Sequence, residues 1–138
     1  MDQNALDRAI RNQLIGAPAL VALLFSASSV YHFFAPQGTE FPYVVFNTQT
    51  PSTPVRTLSR VAYENIVYQV QGVTKDPSAA GCGDIATQID AAMSAAPLTV
   101  AGFQHMRCTR ESDVDYVEVV DGVRYNHRGA LYRVQVTS

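Results

Sequence analysis

Cysteine is scarce in this chain: Cys82 and Cys108 are the only two. A disulfide-built scaffold of this size usually carries more, and a lone pair cannot be connected from sequence. Both read as free, buried thiols of a reducing compartment. Charge is scarce too. Asp, Glu, Lys and Arg make up 16% of the residues, against about a quarter in soluble domains, which leaves neutral surface for a partner to cover. The net charge of -2 lacks the basic excess of a generic polyanion binder. No CxxC, no HExxH and no His/Cys cluster marks a metal site, so neither metal nor cofactor is expected. Long apolar runs are missing. The longest, Ala17 to Phe25, is interrupted by Pro18 and is too short to span a bilayer. The opening MDQNALDRAIRNQL has acids where a signal peptide has a basic region. A soluble protein made in a cytoplasm, with no membrane partner, is expected.

What is present suffices for a packed core. Hydrophobic residues make up 47% of 138, the size of one ordinary domain. Asp2 or Asn4 can cap a first helix, in which Leu6, Ala9, Ile10 and Leu14 recur at helical spacing before Gly16. Pro18 suits the first turn of a short helix reaching about Phe25. Val30–Phe34, Tyr43–Thr48 and Val61–Val73 read as strands. A helix opening at Asp76-Pro77-Ser78 carries Cys82, Ile85, Ala86, Ile89, Ala92, Met93 and Ala96 on one alanine-rich stripe, suited to close approach to a sheet. Phe103–Thr109, Tyr116–Val120 and Leu131–Val136 follow as strands, with Asp121-Gly122 as a turn. This order predicts an α+β fold, a mainly antiparallel sheet with two helices packed on one face. No repeat or boundary divides 1–138, so one domain is expected. Gln49 to Arg60 contains TPSTP and reads as a long exposed loop or arm.

Chemistry-bearing residues do not converge. His32, His105 and His127 lack ligand neighbours at short spacing and read as structural or surface groups. Glu111, Asp113, Asp115, Glu118 and Asp121 alternate loosely with apolar residues, as on a solvated strand face. GCG at Gly81–Gly83 lacks the Lys-Ser/Thr ending of a phosphate loop. Cys82 has no base to activate it. Arg107, Arg110, Arg124 and Arg128 bracket the acids, giving either a charged rim for protein contact or a solvated surface.

One stretch stands out: VYHFFAPQGTEFPYVVF, Val30 to Phe46, with six aromatic side chains beyond its histidine and two prolines. Its pieces Ala35-Pro36-Gln37-Gly38-Thr39 and Pro42-Tyr43-Val44-Val45-Phe46, with Leu131-Tyr132-Arg133-Val134 near the end, resemble the tail completion or tail terminator proteins of long-tailed bacteriophages. The order of elements is similar over nearly the whole chain. The proline-rich arm and the long charged segment Arg110–Arg128 depart from the family pattern. The resemblance implies a virion protein at the tail–neck junction. It would form a ring, typically hexameric, on the head-proximal end of the tail tube, stopping tube polymerisation and meeting a neck or head-completion protein. Double-stranded DNA would pass through the lumen without specific binding. On that reading the protein is not an enzyme, and a closed ring needs two complementary patches per subunit. Tyr31, Phe33, Pro36, Gln37 and Phe41 of the motif, Pro54, Arg56 and Arg60 of the arm, and the four rim arginines are the interface candidates. All six aromatics can instead fill the core. Two alternatives stay open: a neck adaptor or head–tail connector, and a small cytoplasmic enzyme or ligand-binding domain.

Overall fold

The computed structural model describes residues 3–56, 58, 61–75, 78–95 and 97–137, and only the backbone of residues 50–53, 61 and 106. Its elements run α1 (Gln3–Ile15), α2 (Pro18–Val21), β1 (Val30–His32), β2 (Tyr43–Arg56), β3 (Val61–Thr74), α3 (Ala80–Ala95), β4 (Thr99–Val100), β5 (Phe103–Val120) and β6 (Val123–Thr137). The strands make a six-stranded sheet in the order β1-β2-β3-β6-β5-β4. β1 runs parallel to β2, and all other neighbours are antiparallel. The architecture is the α+β arrangement that the element order predicts.

The core lies between the helices and one face of the sheet. Strand alternation sends Val44 and Phe46 of β2, Ile66, Tyr68 and Val70 of β3, and Ala130, Tyr132, Val134 and Val136 of β6 to the helical side. They meet the apolar stripes of α1 (Leu6, Ala9, Ile10, Leu14) and α3 (Cys82, Ile85, Ile89, Ala92, Met93). The close seating of α3 depends on glycine beneath it. A Cβ on Gly72 would stand 2.4 Å from Ile85 Cγ2. Cys82 Sγ donates to the Gly72 carbonyl at 3.2 Å, so the thiol sits in the helix–sheet seam. Two buried tyrosines anchor the helices by their phenols: Tyr68 donates to Asp7 Oδ1 of α1 at 2.6 Å and Tyr132 to Asp90 Oδ1 of α3 at 3.0 Å. Burial is the main cause that raises both phenol pKa values, followed by the hydrogen bond to the carboxylate.

Several expected bounds need correction: α2 stops at Val21 rather than near Phe25, β6 opens at Val123 rather than Leu131, and three further differences have visible causes. Residues 49–56 are not a loop, because they continue β2 and pair with β3 through Thr50↔Val67, Thr53↔Asn65, Pro54↔Glu64 and Arg56↔Val61, with register irregularities. Prolines are tolerated there because β1 covers β2 only from Val44 to Phe46, and an edge strand needs no outward N–H. Phe103–Thr109 and Tyr116–Val120 belong to one 18-residue strand. The charged stretch between them stays extended through contacts to its neighbours, Arg133–Glu111 and Arg128–Asp115 among them. β1 ends at His32 rather than Phe34, because Phe33 turns the chain at φ 69° and the Phe34 N–H donates back to the His32 carbonyl at 2.9 Å.

That early exit explains the conspicuous motif. Parallel strands need a crossover, usually of a dozen residues or more, and here only residues 33–42 join β1 to β2. The turn at Phe33, a turn in which the Thr39 N–H reaches the Pro36 carbonyl at 3.1 Å, and Gly38 at φ 84° return the chain within that length. Pro36 and Gly38 of APQGTEFP therefore serve a tight crossover.

Candidate interaction surface

The crossover delivers Phe41 onto the sheet face opposite the helices. Phe41 lies 5.0 Å from Tyr43 and 5.5 Å from Tyr125, between ring centroids, and Tyr31 meets Tyr43 edge-on at 5.8 Å. Next to them Tyr116 stacks on His127 at 4.3 Å and 6°, and His127 Nε2 lies 2.9 Å from Glu118 Oε1. Burial lowers the His127 pKa, opposed by the Glu118 charge, so the imidazole is neutral near pH 7. Its Nδ1 is buried and has no hydrogen-bond partner among the described residues. The Tyr43 phenol is pushed up by burial first and by Glu118 second. Phe41, Tyr43 and Tyr125 separate two adjoining hollows. One of about 410 Å³ is edged by the Ala35–Glu40 loop and Lys75, and one of about 260 Å³ by Glu118 and His127.

The candidates from sequence distribute over three places. Tyr31 and Phe41 join this aromatic face, with Pro36 and Gln37 exposed on the crossover beside it. Phe33 and Phe34 project at the end of β1, 61% and 73% exposed. Pro54 and Arg56 are exposed at the far end of β2, and Arg60 lies outside the described residues. The four rim arginines are engaged within the chain. Arg110 pairs with Asp113 and lies 3.8 Å from Asp90, and Arg128 meets Asp115 at 3.1 Å. Arg124 donates to Asn126 Oδ1 at 2.8 Å and Arg107 to Thr109 Oγ1 at 3.1 Å. Tyr43, Tyr125 and Glu118 complete the aromatic face but were not among the interface candidates. Their signal was alternation: Tyr125 and His127 share a parity on β6 opposite Glu118 and Tyr116 of β5, legible once Asp121-Gly122 is read as the hinge of one long hairpin.

The histidines are absorbed by packing. His32 lies between Phe33 and Phe46, at 4.1 and 4.9 Å, and His105 Nδ1 accepts the Leu98 N–H at 2.9 Å. Cys108 is partly buried, and burial, then Asp90, pushes its thiol pKa up to about 11. Among the described residues no three His, Cys, Asp or Glu side chains are grouped to hold a metal ion. No described helix is long and apolar enough to cross a membrane.

These features define a class: an α+β domain whose polar side chains chiefly brace its own elements, and whose aromatic, half-exposed surface suits contact with protein. The model of the tail completion protein gp17 family matches residues 8–137, and the chain belongs to that family of bacteriophage tail structural proteins. A chain from the virion of a native gene transfer agent (GTA) particle shares the fold at a TM-score of 0.69 and 18% identity, over 98% of this chain and 96% of its own. A second solved chain aligns at a TM-score of 0.57 and 17% identity, over 100% and 97%. No curated protein matches the chain.

Proposed function

We propose that this protein is a tail terminator. Copies form a ring, hexameric on the family resemblance, at the head-proximal end of the tail tube. The ring ends tube polymerisation and presents a surface to the neck or head-completion protein, and DNA passes through its lumen without specific binding. The chain is made in the host cytoplasm and resides at the tail–neck junction. The work is mechanical, with no catalytic step. The observation that carries this reading is the family match over residues 8–137. Physical support comes from the surface. A closed ring joins two different patches head to tail, and exposed apolar groups occur at separate places: Phe33 and Phe34 after β1, and Val117, Val119 and Val120 beside the β5–β6 turn.

Electron microscopy of lysates from a phage lacking this gene tests the proposal. The expected result is overlong or uncapped tubes beside filled, tailless heads. Tails of normal length that fail to join heads would assign the chain to the neck as an adaptor. Intact infectious particles would overturn both readings.

A further inference from the structure

The 260 Å³ hollow has the chemistry of a cation receptor. Phe41, Tyr43 and Tyr125 line it, and Glu118 and His127 line it with them. Small-molecule sites run about 300–1,000 Å³, so this one is nearer the scale of a single inserted side chain. Aromatic faces attract an ammonium or guanidinium within about 6 Å of their centroids, and a carboxylate beside them supplies the counter-charge. Glu118 meets His127 at 2.9 Å, but that imidazole is neutral near pH 7, so the carboxylate charge is not cancelled. Lys75, the chain's only lysine, lines the adjoining hollow and not this one.

The complementary group sits at the other end of the same ladder. Tyr43 pairs with Val73 at one end, and Arg56 pairs with Val61 at the other. Along a fourteen-residue strand that separation is about 40 Å at roughly 3.3 Å per residue, so Arg56 cannot reach the hollow of its own chain. Arg56 is exposed and makes no ion pair among the described residues. Two residues on in sequence, Leu58 is fully exposed, and in the wall of the hollow Val120 is 50% exposed. A cation two residues from a bare leucine thus matches an aromatic and acidic hollow with a half-exposed valine in its wall. We propose that the hollow receives Arg56 of a second copy of this chain. The contact is head to tail, joins opposite ends of the β2–β3 ladder, and is of the kind that closes a ring. This deepens the ring reading and rests on it.

Arg56→Lys tests the contact directly. It keeps the cation and supplies an amine that a carbodiimide couples to a carboxylate in contact with it. Tails are assembled from a mixture of nitrogen-14 and nitrogen-15 copies, treated with carbodiimide and digested for mass spectrometry. The expected product links positions 56 and 118 across the two isotopes. A ring visible on the tubes without that product overturns the inference and leaves the ring standing. Coupling of Lys75 to Glu118 within one copy also overturns it, because the chain's own lysine then fills the hollow. Tubes without any ring of this chain overturn the proposed function, and this inference with it. A second test uses Arg56→Gln and Glu118→Gln, both distant from the core. Each weakens subunit association about tenfold, and the pair together no more than either alone. Additive losses would show that the two groups do not meet.

Discussion

Gly72→Ala is the substitution whose cost follows most directly from the geometry. The new Cβ would lie 2.4 Å from Ile85 Cγ2 and 3.1 Å from Ile85 Cβ, and Ile85 is 1% exposed at the helix–sheet seam. Neither atom has free space to move into, so α3 must lift or Ile85 must leave its rotamer. Overpacking of this kind costs about 1–3 kcal/mol. At this chain length that lowers the melting midpoint by about 4–12 °C. Far-UV circular dichroism in urea and on heating reads the loss for the isolated protein. The control is the same change in an Ile85→Ala background. Ile85→Ala alone costs about 2–5 kcal/mol, but it removes the clashing methyl. Adding Gly72→Ala there should cost nothing, or recover up to about 1 kcal/mol, because alanine suits a strand interior better than glycine. Equal cost in both backgrounds, or no cost in the wild-type background, would refute the claim that α3 is seated on Gly72.

Three further outcomes are expected. Tyr132→Phe deletes the phenol that donates to Asp90 at 3.0 Å and should cost about 1 kcal/mol in urea melts, with the fold retained. Stability should fall on acidification below about pH 6.5, because burial lowers the pKa of both His105 and His127 in the folded chain. With the folded values below the unfolded one, the unfolded chain binds the proton first, so their contribution is full above the unfolded pKa and lost as pH falls toward the folded values. Melting midpoints measured across this range should decline, with a shallower decline in His127→Gln. Phe33→Gly relieves an aromatic residue held at φ 69° and should leave the isolated protein as stable or about 1 kcal/mol more stable, while lowering particle yield through loss of a 61% exposed ring. Unchanged yield would remove Phe33 from the interface.

The helices and the core were legible because their signal is local. Leu6, Ala9, Ile10 and Leu14, and Cys82, Ile85, Ile89 and Met93, repeat at helical spacing and are buried as that spacing demands. Strand extent was less legible because pairing partners decide it. TPSTP discourages regular structure locally, yet β3 pairs across its backbone at an edge where prolines do no harm. The acids from Glu111 to Asp115 were legible as a solvated strand face, but the strand bounds on either side stopped short of them, because Arg128 and Arg133 on β6, which hold them extended, are distant in sequence. The candidate surface was half legible. Phe41 and Tyr31 stood out within an unusual motif, but Tyr125 and Glu118 lie some eighty residues away and reach it only through the β5–β6 hairpin. The rim arginines were visible as charges. That Arg128 pairs with Asp115 depended on β5–β6 register, and that Arg110 reaches Asp90 depended on how α3 packs on the sheet.

A cryo-electron microscopy reconstruction of the neck and upper tail of purified particles would show where this chain sits. The reconstruction should show one closed ring of this fold capping the last ring of tube subunits on the head side, with neighbouring copies related head to tail. This fold on the portal side of the neck, repeated along the tube, or missing from the particle would contradict the proposed function.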